Sequence, residues 1–370
     1  MSPHPLKVIH IASGDRWAGA EVQLFTLLSE LRKMPDIEPR AILLNDGELA
    51  LRLQQQGIAV DILDENQLSS PAIFIRLVKL LRQHRPDLLH THRQKENILS
   101  CIANAISVRA RSVRTVHGAN EHPPQRLHQR LIHALDIWTG NHLQQCIIAV
   151  SQDLAQKLTN TFISKNLVVI ENGVDIDAVR ASVQAIAFRE NESTAIHIGI
   201  VGRLDSVKRI DIFLDMAKLL IDEASHQSWR FHIFGEGALL TELKQQSQRL
   251  GIDAQVTFHG HRSDIASCIA ALDALVMCSD HEGLPMTALE SMAVGTPIVA
   301  HAVGGLCPLL KGDCGGATVS IHTPQGYATA VKNIIASNKE ALATKGLQRI
   351  RENYSSQTNA LRVTEIYKTL

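Results

Sequence analysis

With 370 residues, the chain is too long for one ordinary hydrophobic core, and its length predicts two domains of similar size. It is 45% hydrophobic, as globular proteins are, and its 37 basic residues equal its 37 acidic residues. This zero net charge argues against a dedicated nucleic-acid binder, whose surface must be basic to neutralise phosphates.

Short apolar runs alternate with amphipathic segments through the first half of the chain. Six runs predict buried strands and lie at residues 6–13, 39–45, 58–63, 87–92, 111–118 and 144–151. Helices are predicted between them at residues 20–33, 47–57 and 73–85. The first strand runs into a turn that reads GDRWAG (14–19). Strands that alternate with helices predict a parallel sheet covered on both faces.

The alternation starts again near residue 196. Further strands are predicted at residues 195–204, 229–237, 256–260, 274–279 and 297–300. We therefore predict an α/β protein of two doubly wound, Rossmann-like domains, at 1–177 and 196–350, that face a central cleft and are joined by a linker at 178–195. An amphipathic helix at 351–370 ends the chain, and its pattern leaves open whether it crosses back to the N-terminal domain.

The sequence offers little sign of export. Its N-terminus has no apolar core long enough for a signal peptide, and its most apolar stretch, 265–278, is too short for a bilayer and contains Asp273. The six cysteines lie far apart without a Cys-x-x-Cys pair, which predicts free thiols. We therefore expect a cytoplasmic protein.

The stretch EGLPMTALESMAVGTPIV (282–299) contains two glutamates, Glu282 and Glu290, on either side of a predicted helix start. A helix start exposes unpaired backbone N–H groups, here those of Met286 and Thr287, which can bind a phosphate. Glu290 lies four residues further along, roughly 6 Å up the axis, within reach of a ribose. The alternative, a solvated loop glutamate and an ordinary surface glutamate, stays open on spacing alone.

The wider motif, EGLPMTALESMAVGTPIVAHAVGG, resembles that of the retaining glycosyltransferases of family 4, which have a GT-B fold. Other segments are similar to that family in the expected order, namely GAE (19–21), TVHG (115–118), AVS (149–151), ENGVD (171–175), VGRLDSVK (201–208) and FGEG (234–237). The likeness extends from residue 6 to about residue 310. It implies a nucleotide diphosphate sugar donor and no requirement for a metal ion.

The resemblance also implies roles for individual residues. Arg203 and Lys208 would pair with the diphosphate, Glu282 would bind the donor sugar, and His117 would contact the sugar near its reacting carbon. The other implied donor-binding residues are Gly19, Gly202, Gly235, His261, Gly283, Leu284, Met286, Thr287 and Glu290. Each has an ordinary structural alternative, such as a surface cation, a tight turn or a core histidine.

Two departures from the family pattern leave the donor preference open. Arg209 follows Lys208 where many relatives have glycine, and Leu284 with Pro285 replaces a common Phe-Gly pair. Separately, His90 and His92 lie on one face of a predicted strand, as two metal ligands could. Because no third ligand follows at zinc-like spacing, we favour a structural or cleft-lining role for them.

The prediction is thus a retaining hexosyltransferase. It would transfer the sugar of a UDP-, GDP- or ADP-sugar to a glycan or lipid-linked acceptor in cell-surface polysaccharide synthesis. No nucleic-acid partner is expected. Two alternatives stay open: a sugar-nucleotide 2-epimerase with the same two-domain fold, and a non-catalytic nucleotide-sugar binding subunit. The basic amphipathic segment 123–138, after HGANEHPP (117–124) near the implied acceptor side, also leaves open a peripheral contact with the inner membrane surface.

Overall fold

The computed structural model describes residues 4–15, 17–118, 126–163, 167–192, 194–223 and 227–370. The chain divides into two compact units, one formed by residues 1–173 with 356–370 and the other by residues 174–355. Arg16 of the GDRWAG turn and residues 119–124 of HGANEHPP lie outside the described residues.

The N-terminal unit alternates strands and helices and adds a helix from the C-terminus. Its elements are β1 (Leu6–Ala12), α1 (Gly19–Lys33), β2 (Ile37–Leu43), α2 (Glu48–Gln55), β3 (Ala59–Ile62), α3 (Ser70–His84), β4 (Leu88–Thr91), α4 (Gln94–Ala105), β5 (Arg111–Val116), α5 (Leu127–His142), β6 (Cys146–Ala149), α6 (Gln152–Leu158), β7 (Leu167–Val169) and α16 (Ser356–Thr369).

The C-terminal unit has the same alternation. Its elements are α7 (Ile176–Ala181), α8 (Ala187–Asn191), β8 (Ile196–Val201), a 3-10 turn (Ser206–Lys208), α9 (Ile210–Glu223), β9 (Trp229–Phe234), α10 (Leu240–Arg249), β10 (Val256–Gly260), α11 (Ile265–Ala270), β11 (Ala274–Met277), α12 (Met286–Val294), β12 (Ile298–His301), α13 (Leu306–Leu310), β13 (Gly316–Val319), α14 (Pro324–Ala336) and α15 (Lys339–Asn353).

Each unit is built on one parallel sheet. The strand order is β3-β2-β1-β4-β5-β6-β7 in the first and β10-β9-β8-β11-β12-β13 in the second. Both follow the doubly wound order, in which the winding direction reverses beside the first strand, between β1 and β4 and between β8 and β11. These sheets confirm the predicted fold class.

The core of each unit is built around central strands that are buried on both faces. β4 and β11 have no exposed residue, as expected of parallel strands with helices on both sides. In the C-terminal unit the core runs from Phe213 of α9 across Phe231 to Tyr327 of α14, all three without exposure. The two strands that the sequence analysis missed, β7 and β13, are three or four residues long and lie at sheet edges, where burial is weaker.

The segment predicted as a linker, 178–195, lies inside the C-terminal unit. Asp175 caps α7 because its side chain accepts a hydrogen bond from the backbone N–H of Ala178 at 3.0 Å, and α7 packs on α12. At the other end of the chain, α16 packs on α1, with Tyr367 fully buried. The C-terminal helix is therefore a part of the N-terminal unit.

Among the described residues, none of the helices combines the length and the apolar character needed to cross a membrane.

Candidate functional site

Two predicted residues meet where the winding of the C-terminal sheet reverses. Lys208 follows β8 and Glu282 follows β11, and the lysine Nζ donates to Oε1 of the glutamate at 2.6 Å. The backbone N–H of Asp280 also donates to the carbonyl of Val207 at 2.9 Å, which holds the two strand-end segments together. Both side chains are partly shielded, with 21% and 9% exposure. The pair therefore occupies the position where doubly wound sheets bind their ligands.

Gly202 and Gly235 lie at the ends of the neighbouring strands β8 and β9. Gly235 has φ +136°, and a Cβ there would overlap the carbonyl oxygen of Gly202. The Gly235 N–H donates to the carbonyl of Gly260 at 2.8 Å, which fixes the approach of the three segments. A side chain at residue 235 would force these segments apart, so the FGEG motif has a steric reason as well as its implied role.

Arg209, the departure from the family pattern, has the left-handed φ of +49° that favours glycine. A non-glycine residue there costs about 1 kcal/mol. Its guanidinium pairs with Asp211 at 2.9 Å and with Asp280 at 3.4 Å. These carboxylates, Asp211 above all, raise the pKa of Arg209. The ion pairs offset the backbone cost, and Asp280, which the sequence analysis missed, anchors the loop beside Glu282.

The turn that carries Glu282 is supported by a second pair of glycines that the sequence analysis gave no role. Gly304 has φ +52°, and a Cβ there would overlap the carbonyl oxygen of Glu282. The Gly305 N–H donates to the carbonyl of Gly283 at 2.6 Å. Their place at the end of the quoted motif, AHAVGG, was the available signal.

The helix after this turn begins at Met286, with Pro285 as its N-cap residue, and ends at Val294. Gly295 caps it with a left-handed φ of +83°, a conformation that favours glycine. Met286 and Leu284 are buried, whereas Thr287 is partly exposed. The N–H groups of Met286 and Thr287 belong to the first turn, which has no partners within the helix.

Glu290 is buried in the second turn of α12, at 9% exposure, without a hydrogen-bond partner among the described residues. Burial raises its pKa to about 7. Burying a carboxylate costs free energy, and groups with shifted pKa values concentrate at functional sites. This burial argues against the alternative of a surface glutamate.

Arg203 and His261 lie closer to the solvent. Arg203 is 59% exposed and pairs with Asp205 at 3.1 Å. His261 is exposed, and its backbone N–H donates to the Glu236 carboxylate at 3.4 Å. The role of Arg203 in diphosphate binding and that of His261 in donor binding stay predictions.

In the N-terminal unit, the implied residues follow strands next to the reversal between β1 and β4. Gly19 is exposed and opens α1. Glu21, two residues later, is buried and forms an ion pair with Arg93, which follows β4. His117 follows β5. The residue as a whole is partly exposed, but its ring is buried, and this burial, together with nearby Arg93, lowers its pKa to about 4.

The histidine pair His90 and His92 has a third neighbour that sequence spacing did not reveal. His10 on β1 lies opposite His90 in the parallel register. The three side chains offer ligand atoms within 4.8 Å of one another, all buried. A third histidine is therefore present in space, supplied by an adjacent strand rather than by the next residues in the chain.

Comparisons with known proteins identify the family of the chain. Residues 195–337 match the family model described as Glycosyl transferases group 1, and residues 17–178 match the model described as Glycosyltransferase Family 4. The UDP-Gal:alpha-D-GlcNAc-diphosphoundecaprenol alpha-1,3-galactosyltransferase of Escherichia coli is 24% identical over 336 residues, covering 85% of this chain and 87% of that protein.

Two further similarities extend over most of the chain. The glycogen synthase of Mycobacterium tuberculosis is 26% identical over 310 residues, covering 79% of this chain and 72% of that protein. The crystal structure of Anabaena Alr3699/HepE in complex with UDP-glucose has a TM-score of 0.84 at 22% identity, covering 99% of this chain and 100% of that one, which shows the shared fold. The chain therefore belongs to glycosyltransferase family 4, the group 1 glycosyltransferases of GT-B fold.

Proposed function

We propose that this protein transfers a hexose from a UDP-sugar to a hydroxyl group of a lipid-linked glycan, with retention of anomeric configuration, in cell-surface polysaccharide synthesis. The observation that carries the proposal is the Lys208–Glu282 pair at the sheet reversal, next to the start of α12. The relatives support the donor and acceptor classes. The E. coli protein is named for UDP-Gal and a diphosphoundecaprenol acceptor, and Anabaena HepE was crystallised with UDP-glucose.

In the proposed step, the acceptor oxygen bonds to the anomeric carbon on the face from which the diphosphate leaves. The bond between that carbon and the phosphate oxygen breaks, and the acceptor's proton passes to the departing phosphate. Lys208 and Arg203 offset the negative charge that grows on the diphosphate. Atoms and charges balance without an enzyme nucleophile.

The two glutamates have separate tasks in this proposal. Glu282 accepts hydrogen bonds from hydroxyl groups of the donor sugar, while the first-turn N–H groups of α12 bind the diphosphate. Glu290, at 9% exposure in the second turn of α12, accepts from the ribose hydroxyl groups. Retaining glycosidases need two carboxyl groups about 5–5.5 Å apart, one of them a nucleophile. With Glu282 given to the sugar hydroxyl groups and Glu290 to ribose, a single front-face displacement fits these residues better.

A panel of UDP-, GDP- and ADP-sugars tests the proposal. We expect a UDP-hexose to raise the melting temperature most, because a donor at about 100 times its Kd stabilises the fold by about 2.7 kcal/mol. With a lipid-linked acceptor, the proton NMR spectrum of the product should show the donor's anomeric configuration. An inverted product would contradict retention. Conversion of the donor without an acceptor would support the 2-epimerase instead, and tight binding without turnover on any acceptor the binding subunit.

Helix α5 presents an exposed apolar surface that suits a lipid-linked acceptor. Five of the twelve large apolar side chains that are exposed in the described part of the chain lie on this helix, namely Leu127, Leu131, Ile132, Leu135 and Trp138. Three of them recur every four residues and so form one stripe. Arg126 and Arg130, both exposed, flank it. Leucine, tryptophan and arginine in this pattern suit the headgroup region of an anionic membrane.

The opposite face of α5 is firmly held, so the exposed stripe is presented on a rigid support. Asp136 is buried and accepts two hydrogen bonds from Arg114, at 2.9 and 3.2 Å, and a third from Asn97 at 2.8 Å. We therefore propose that α5 contacts the membrane surface that carries the acceptor.

Replacing both Leu127 and Leu131 with glutamate should weaken binding to vesicles of anionic phospholipid about 10- to 100-fold. Two apolar side chains lose their partition free energy, and two acidic charges are added. The measurement is co-sedimentation, with Ile75→Glu as the matched control, because Ile75 is 69% exposed on the basic helix α3. Equal binding by the double variant and the wild type would contradict the proposed contact.

A further inference from the structure

A line of hydrogen-bonded rings crosses the sheet of the N-terminal unit and ends at His117. His10 on β1 lies opposite His90 on β4, and His92 follows two residues later on the same face. The ring of His90 stacks on that of His92, with centroids 4.5 Å apart. Tyr367 of α16 meets the rings of His10 and His90 edge-on. Three strands and the last helix of the unit thus build one polar line within the core.

The hydrogen bonds run without a break along this line. They join Thr115 Oγ1 to His90 Nε2 at 2.7 Å, His90 Nδ1 to the Tyr367 hydroxyl at 2.6 Å, that hydroxyl to His10 Nε2 at 3.2 Å, His10 Nδ1 to His92 Nε2 at 3.0 Å, and His92 Nδ1 to His117 Nε2 at 3.2 Å.

A metal ion is the other ligand that three clustered histidines could take. Here both nitrogens of His10, His90 and His92 already have a partner in the line, so a metal would have to break several of these bonds. Metal-bound histidines usually donate their second N–H to a carboxylate, a carbonyl or water. Here three of the six ring nitrogens bond to another imidazole and three to the hydroxyl group of Thr115 or Tyr367, which favours a hydrogen-bonded array over a metal site.

Burial keeps the four imidazoles neutral at pH 7. It lowers the pKa of His10 to about 3 and that of His117 to about 4, and it holds the pKa values of His90 and His92 well below their usual range. A neutral imidazole has one N–H and one bare nitrogen, so a ring that donates on one side accepts on the other. The hydrogen bonds of the line must therefore all run in the same direction from donor to acceptor.

The two hydrogen bonds of Tyr367 indicate the direction of donation along the line. Burial raises the pKa of Tyr367 well above its usual value, so the phenol keeps its single proton. O–H donors form shorter hydrogen bonds than N–H donors. The 2.6 Å bond to His90 fits donation by the phenol, and the 3.2 Å bond fits donation by His10 Nε2 to the phenol oxygen. His10 Nδ1 then accepts from His92, and His92 Nδ1 accepts from Nε2–H of His117.

We propose that His92, His10 and Tyr367 are positioning residues that hold His117 as its Nε2–H tautomer, so that its bare Nδ1 accepts a hydrogen bond from a hydroxyl group of the donor sugar. Nδ1 of His117 is buried and has no partner among the described residues. The contact with sugar rests on the proposed function, whereas the tautomer rests on the hydrogen bonds alone.

The tautomer can be read directly from ¹⁵N NMR of histidine-labelled protein, because protonated and bare ring nitrogens differ widely in chemical shift. In the wild type without ligand, we expect a bare Nδ1 and a protonated Nε2 at His117. The row His197, His232 and His259 is an internal reference. There the Glu192 carbonyl can only accept, at 2.9 Å, which fixes Nε2–H at His197.

Two replacements of His92 separate positioning from structure. His92→Leu removes the acceptor for His117 Nε2–H, so we expect mixed tautomers at His117 and about a 10- to 100-fold loss of kcat/KM for a UDP-hexose. His92→Asn offers its side-chain oxygen where Nδ1 was, so we expect the single tautomer and most of the activity to return. Tyr367→Phe, which interrupts the line without touching His117 or His92, should also give mixed tautomers.

Several results would overturn the proposal. One is a protonated Nδ1 on wild-type His117, and another is a single unchanged tautomer in His92→Leu. A third is stabilisation of the wild type by equimolar zinc that His10→Gln abolishes, since this would identify a metal site. A bare Nδ1 together with no transfer from any donor would contradict the proposed function while supporting the hydrogen-bond order.

Discussion

Replacing Lys208 with alanine is expected to lower sugar transfer about 10²- to 10³-fold while the protein stays folded. In the structure, the Lys208 ammonium is bound to Glu282 at 2.6 Å. A diphosphate at the start of α12 would draw the lysine toward it and leave Glu282 free to accept from sugar hydroxyl groups. The two charges therefore hold each other in place until the donor takes both, and losing either should stop transfer. Glu282→Ala is expected to lower the rate to a similar extent.

Stability and catalysis can be separated with a neutral pair. Lys208→Ala leaves a largely buried carboxylate without its cation and should cost about 1–3 kcal/mol of unfolding free energy. The double variant Lys208→Met with Glu282→Gln removes both charges, so it should regain most of that stability without regaining transfer. Urea unfolding and steady-state kinetics on the same preparations give the two readings.

The matched control is Lys218→Ala on α9. Lys218 pairs with Asp222 at the same distance of 2.6 Å, but both side chains are exposed, at 37% and 52%. Exposed pairs contribute little, so we expect wild-type activity and a change in stability within about 0.5 kcal/mol. Wild-type turnover by Lys208→Ala, or restored transfer in the neutral double variant, would reduce the pair to a structural role.

The sequence predicted the two parallel sheets because each buried strand is a short apolar run between amphipathic helices. It also predicted which turns follow the strands, since Gly202 and Gly235 interrupt the runs where the strands end. Periodicity alone could not predict which turns meet, although the family resemblance gave Lys208 and Glu282 to one donor. Lys208 and Glu282 are 74 residues apart and touch because β11 lies next to β8, an order that periodicity does not contain.

The histidine line was hidden for the same reason. His90 and His92 share a face that any strand pattern reveals, whereas His10 joins them through the neighbouring strand β1 and Tyr367 through a helix at the far end of the chain. Arg209 is a different case: the residue looked like a departure from the family pattern, and its left-handed backbone explains why glycine suits that position. Local propensity identifies such positions only once the dihedral angles are known.

Glu290→Gln is expected to make the protein more stable above pH 7 and a weaker binder of the donor. Burial raises the pKa of Glu290 to about 7, against about 4.5 in an unfolded chain. Between these values the folded state holds more protons than the unfolded state, so stability falls as pH rises from about 4.5 to 7 and then levels off. Glutamine does not ionise, so its advantage should grow from near zero at pH 4.5 to about 3 kcal/mol at pH 8.

Urea unfolding at pH 5 and pH 8 measures this difference, with Glu242→Gln as the control because Glu242 is exposed in the first turn of α10. The control should show the same pH dependence as the wild type. If the free energies of the wild type and Glu290→Gln run parallel from pH 5 to 8, the carboxyl group is not buried as the structure has it.

Donor binding gives a second, independent reading of the same carboxyl group. Ribose hydroxyl groups donate best to the ionised carboxylate, so binding of UDP should lower the pKa of Glu290 and release a proton near pH 6.5. Calorimetry in two buffers of different ionisation enthalpy measures that release. Glu290→Gln should release none and bind UDP about 10-fold more weakly, since a hydrogen bond to a charged group contributes about 1.5–3 kcal/mol and a neutral amide keeps part of it. Equal proton release by the wild type and the variant would mean that the ribose is bound elsewhere.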